Sequence, residues 1–173
     1  MQADALFDQA NGEWDAGHLR RAFQLMSQAA TAGHVFAQNS LGYFFDHGIG
    51  VKKNRTKALY WYRKAAKKGD DLACGNLAIS YRNVGKTKEA KFWFKKARAK
   101  GDDDAAVGLA KLYLSGSPKV RQKDLERARE YLTLAAKSTH TFPDSKQEAR
   151  QLLKQLDSRR KQSRQTVSKK RKK

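Results

Sequence analysis

The residues of this 173-residue chain that could do chemistry are few and scattered. His18, His34, His47 and His140 could ligate a metal, yet no pair has i, i+4 helical spacing with a glutamate between. They read as solvated or turn histidines. Asp102-Asp103-Asp104 could gather charge for a metal or for acid–base work. Asp70-Asp71 stands one repeat earlier in the same place, so both runs read as negative charge at a helix start, where the dipole favours it. Gly48-Ile49-Gly50 could cradle a phosphate, but it follows a helix and lacks the third glycine and the Lys-Ser/Thr of such loops. Cys74 is the only cysteine, which excludes an intramolecular disulfide and a zinc site of clustered cysteines; it reads as core packing. No order or spacing suggests a Ser/His/Asp or Cys/His nucleophile. The chain therefore reads as non-enzymatic, with no catalytic residue, metal ligand or cofactor assigned.

Charge is the stronger signal. The net charge is +20, and nine cations without an acid crowd the last sixteen residues: Arg159, Arg160, Lys161, Arg164, Lys169, Lys170, Arg171, Lys172 and Lys173. The preceding 157 residues carry 28 basic against 17 acidic side chains. A polyanion is the natural partner of such a tail. If every tail cation met a phosphate of a single strand, the log–log salt slope would be about −6. In a eukaryote, Lys169–Lys173 would also read as a nuclear localisation signal.

The elements that must position these groups come from a repeat. Ala22/Ala29, Ala58/Ala65, Ala90/Ala97 and Ala128/Ala135 are seven apart, with Leu25-Met26, Trp61-Tyr62, Trp93-Phe94 and Tyr131-Leu132 between them. The period of 32 to 38 residues marks an array of like units. Ala58, Trp61, Tyr62, Ala65 and Ala66 fall on one helix face, so the large aromatics are expected in the core. Each such helix follows another: Ala37, Leu41 and Phe45 recur as Ala73, Leu77 and Tyr81, then as Ala105, Leu109 and Tyr113. Asn54 and Asp124 are placed to cap helix starts, and Gly69 and Gly101 to end helices. Ser145-Lys146-Gln147-Glu148 reads as a capping box opening a closing helix with Ala149, Leu152, Leu153 and Leu156 inward. The expectation is an all-α chain. Repeats cover about 3–34, 37–70, 73–102 and 105–138, a capping helix about 144–157, and a disordered basic tail 158–173.

The segments Ala37-Gln38-Asn39-Ser40-Leu41-Gly42-Tyr43-Phe44-Phe45, Gly48-Ile49-Gly50-Val51 and Lys57-Ala58-Leu59-Tyr60-Trp61-Tyr62-Arg63-Lys64-Ala65-Ala66-Lys67-Lys68-Gly69-Asp70 closely resemble the Sel-one-like repeat. That family is a branch of the tetratricopeptide superfamily, which implies a right-handed α-solenoid of helix–turn–helix repeats. The third unit departs from it by lacking the glycine-rich loop, and the fourth by replacing it with Ser115-Gly116-Ser117-Pro118-Lys119-Val120. By similarity to tetratricopeptide arrays, the concave positions are Asn39, Tyr43, Asp46 and His47, then Ile79, Arg82 and Asn83, then Lys111 and Leu114.

The resemblance implies a protein–protein interaction adaptor that holds a protein or peptide, expected to be acidic, on that concave face. Two other readings stand beside it. One is a nucleic-acid- or ribosome-associated protein using the basic surface and tail; the other is a bacterial immunity protein capping a toxin, as in some relatives. Met1–Asp8 lacks the basic head and apolar run of a signal peptide, and no stretch has the apolar length of a membrane span. A cytoplasmic location is expected.

Overall fold

The computed structural model describes residues 2–115 and 121–170, without the side chains of 160–170. All regular structure among them is helical, and the chain forms two compact units, Met1–Lys100 and Gly101–Lys173. The first holds α1 (Gln2–Asp15), α2 (Leu19–Thr31), α3 (Val35–His47), α4 (Arg55–Lys67), α5 (Asp71–Asn83) and α6 (Thr87–Ala99), each packed on the next. The second holds α7 (Asp104–Ser115), α8 (Gln122–Lys137) and α9 (Pro143–Lys170).

Small residues set the packing distance. Ala22, Ala29, Ala58, Ala65, Ala90 and Ala97 have no exposed surface, and neither have Ala128 and Ala135 in the second unit. Leu41 and Phe45 of α3 and Leu77 and Tyr81 of α5 are buried as well. Only one of the two bulky residues between each later alanine pair goes fully inside. Tyr62, Phe94 and Leu132 are buried, whereas Trp61, Trp93 and Tyr131 lie half-buried at the border. This corrects the expectation that all these aromatics are core: the inward stripe is narrower than the i+3/i+4 pair.

The helix starts are capped at one repeat position. His34 Nδ1, Asp70 Oδ1 and Asp102 Oδ1 accept from the amides of Ala37, Ala73 and Ala105 at 3.0, 2.9 and 3.1 Å. Asn54 Oδ1 likewise accepts from Lys57 N at 2.9 Å. Asp124 and Ser145 do not cap as expected. Asp124 lies inside the first turn of α8, ion-paired at 2.9 Å to Arg121. Helix α9 begins earlier, at Pro143, whose fixed φ suits a first turn, so Ser145 is already inside it. Its backbone stays helical to Lys170, past the boundary expected at Asp157, because no glycine or proline interrupts it and Lys, Arg and Gln favour helix. The expectation of disorder for 158–173 falls largely on residues whose side chains or backbone lie outside the described set. So does most of the Ser115–Val120 loop.

Lysines tie successive units together. Lys68 Nζ, just after α4, donates to the carbonyl of Gly33 at 3.0 Å, and Lys100 Nζ, just after α6, to that of Gly69 at 3.4 Å. The amide of Gln38, fully buried, donates to Ala30 O at 3.1 Å across α2 and α3.

Substitutions at two positions test this packing. A Cβ at Gly42 would sit 2.6 Å from Cδ1 of the buried Tyr62 ring. Gly42→Ala is expected to destabilise by about 1–3 kcal/mol through overpacking, read by urea denaturation. Burial pushes the Asp70 carboxyl up from its ordinary range, against its hydrogen bonds to backbone amides. Its contribution to folding is most favourable when it is protonated and declines as pH rises through its raised folded value. Asp70→Asn keeps the cap without the buried charge, so the variant should equal or exceed the parent near neutrality, with the gap closing in acid. Asp70→Ala should cost about 1 kcal/mol. A thermal-melt series against pH separates these outcomes.

Candidate functional site

The inward positions expected on the first helices fall into two classes. In the first unit, α3 and α5 touch directly, and Asn76 donates to Asn39 Oδ1 at 3.0 Å, joining them through paired side-chain amides. Beside this pair the Tyr43 ring meets His47 at 4.0 Å between centroids and Trp14 at 6.0 Å. His47 is exposed, its Nδ1 3.1 Å from the Tyr43 carbonyl oxygen. Ile79 is 39% exposed and Asn83 is exposed. A surface of rings, an aliphatic side chain and amides can bury apolar side chains and pair with peptide groups.

The remaining positions are occupied by packing. Asp46 is 7% exposed; after burial itself, its charge is the next influence pushing the pKa of Tyr62 up. Arg82 lies half-buried with its guanidinium carbon 5.9 Å from the centroid of Phe94. In the second unit, Lys111 forms an ion pair with Glu148 of α9 at 2.5 Å, and Leu114 packs against the cluster containing Leu132, Ala149 and Leu156. The closing helix therefore covers what the sequence offered as the fourth unit's binding positions. Trp14, which stands off the repeat, is half-buried and packs edge-on against Phe44 at 4.8 Å.

No group of three His, Cys, Asp or Glu among the described residues is placed to hold a metal. Cys74 is buried, and burial pushes its thiol up, away from the reactive thiolate. Gly48 and Gly50 form a turn: both have positive φ, and a Cβ on Gly50 would lie 2.1 Å from the Leu19 carbonyl oxygen. The glycines therefore serve close backbone approach. None of the helices among the described residues is long and apolar enough to cross a membrane.

A second surface lies outside the expected concave positions. On α4, Tyr60 is 54% exposed and meets Trp61 edge-on at 5.1 Å; on α6, Phe92 is 61% exposed and meets Trp93 edge-on at 5.3 Å. Lys64 Nζ lies 5.0 Å from the Trp61 ring centroid and Lys96 Nζ 4.9 Å from that of Trp93. Tyr60 and Phe92 both stand two residues after the first alanine of their pair, a regularity that could have found them.

Comparison with known proteins places this geometry. The Sel1 repeat family model matches residues 17–34, 35–70, 73–102 and 103–140. The chain belongs to the Sel1 repeat family. The match leaves out α1. A Sel1 repeat protein from Oxalobacter formigenes is 29% identical with a TM-score of 0.66, over 80% of this chain and 57% of that one. The c5321 protein, a protective antigen of uropathogenic Escherichia coli with this fold, is 32% identical with a TM-score of 0.65, over 78% of this chain and 30% of that one. The chitin synthase regulator SKT5 of Saccharomyces cerevisiae is 46% identical over 56 residues, 32% of this chain. The chain spans only 8% of that regulator's length. Sel1 repeats form an interaction fold, generally non-enzymatic, and proteins built from them generally mediate protein–protein contacts.

Proposed function

We propose that this Sel1 repeat chain is an adaptor that binds a protein or peptide on the α3/α5 face of its first unit. The observation that carries the reading is the half-buried Tyr43 with the exposed His47, Ile79 and Asn83 around the Asn39–Asn76 amide pair. The core does not need these groups at the surface: Leu41, Phe45, Leu77 and Tyr81 already fill the interior of the same two helices. A half-buried tyrosine held by ring contacts loses little freedom on binding, which suits it to anchor a partner. The neighbouring amides can accept and donate to an extended backbone.

Affinity capture from nuclease-treated extract tests this. The full chain should retain a protein partner. Tyr43→Ala combined with Ile79→Ala should weaken it by about 2 kcal/mol or more, as central interface anchors do. Replacing the cations of Lys169–Lys173 with glutamine should leave that partner bound. Recovery of nucleic acid alone before nuclease treatment, and of nothing after it, would sink the adaptor reading.

A further inference from the structure

The body's positive charge is not spread along the chain. Residues 55–100 hold 14 of the 28 cations that precede Ser158, against three acids. Residues 1–54 hold four cations and five acids, and residues 101–157 hold ten and nine. Essentially the whole excess lies on the second and third repeats. Helix α4 has five cations and no acid; α6 has five cations and one acid.

The two exposed aromatic pairs stand on these same two helices. Single exposed apolar side chains are ordinary on protein surfaces. Here the same arrangement occurs twice in one register: an exposed ring, a tryptophan set edge-on to it, and a lysine over the tryptophan. Packing does not demand it. The position of Tyr60 and Phe92 is Gln24 in the first unit and Glu130 in the last, and the buried alanines and the i+4 residues pack alike in all four. The aromatic and the cationic excess thus appear together and disappear together along the array.

We infer that the exposed faces of α4 and α6 form a binding surface for single-stranded nucleic acid, with bases stacked on Tyr60 and Phe92 and phosphates held by lysines including Lys64 and Lys96. A single strand alternates flat apolar bases with anionic phosphates, and this surface alternates isolated exposed rings with cations. Stacking on aromatic side chains beside a basic track is how such strands are held without sequence preference. A bilayer would instead need a contiguous apolar face. A protein interface would be poor in lysine, whereas ten of the 14 cations are lysines, which serve as point charges for phosphate. The surface is separate from the α3/α5 positions and does not depend on them.

The test is fluorescence anisotropy of labelled 12-nucleotide oligouridylate and oligothymidylate against the full-length chain. Binding at low salt should fall with a log–log slope of about −4 if about six phosphates are neutralised. Tyr60→Ala and Phe92→Ala should each weaken it about tenfold, while Tyr60→Phe and Phe92→Tyr retain it. Glutamine in place of the cations of Lys169–Lys173 should lower affinity overall without abolishing the tenfold effect. In the unaltered chain, saturation with oligonucleotide should change tryptophan emission, because Trp61 and Trp93 touch the two stacking rings. This readout needs no variant to fold. Absence of binding, indifference to both alanine variants, or unchanged emission at saturation would overturn the inference. So would phosphatidylserine vesicles or polyglutamate taking the tenfold loss instead of the oligonucleotides. A preference between the RNA and DNA strands would identify the source of the ligand.

Discussion

The close approach of helices at alanine and glycine is the constraint from which the rest of this molecule follows. Where Gly42 faces Tyr62 there is no room for even a methyl group, so ring and backbone lie in direct contact. An aromatic can be buried there only because the opposite position is small. The same alternation of small and large recurs along α2, α4 and α6, and again along α8 in the second unit. In α4, α6 and α8 one of two adjacent bulky residues enters the core and its neighbour stays at the border. The positions flanking that neighbour are then released from packing, and there the units come to differ in chemistry.

The periodicity of small and large residues made the helix pairs legible, together with the glycine ends and the caps at Asn54, Asp70 and Asp102. These features are local, and the covalent chain dictates them within a few residues. The sequence was less informative where the answer depended on how the chain enters an element or what later covers it. Asp124 has a capping side chain, but α8 starts two residues before it. Trp61 and Trp93 share a helical face with Tyr62 and Phe94, yet spacing could not tell how wide the buried stripe would be. Lys111 and Leu114 satisfy the pattern of inward positions and are taken by α9, a docking that no local spacing reveals. Asp46 also fits that pattern and is buried, with its charge acting on Tyr62, a placement that local spacing does not reveal.

The first unit thus presents two chemically distinct faces. The first helices of its second and third repeats offer amides, an aliphatic side chain and rings tilted against one another. The second helices of the same repeats offer cations and rings set edge to edge. A helical pair buries only one side of each helix, so two independent selections can act on one short stretch of chain without disturbing the interior between them. The outer alanines, common to every unit, belong to neither face.

The lysine that follows α4 grips the carbonyl of the glycine ending the previous unit, and the lysine following α6 does the same one unit on. The stretch from His34 to Gly69 therefore contains a cap for its own first helix, a donor for the joint behind it and an acceptor for the joint ahead. Copied in tandem, it would bring every group needed for both of its new junctions, with no change elsewhere in the chain. Growth of the array by duplication is thus written into the ends of a single unit, and an insertion out of that phase would leave a lysine without its carbonyl.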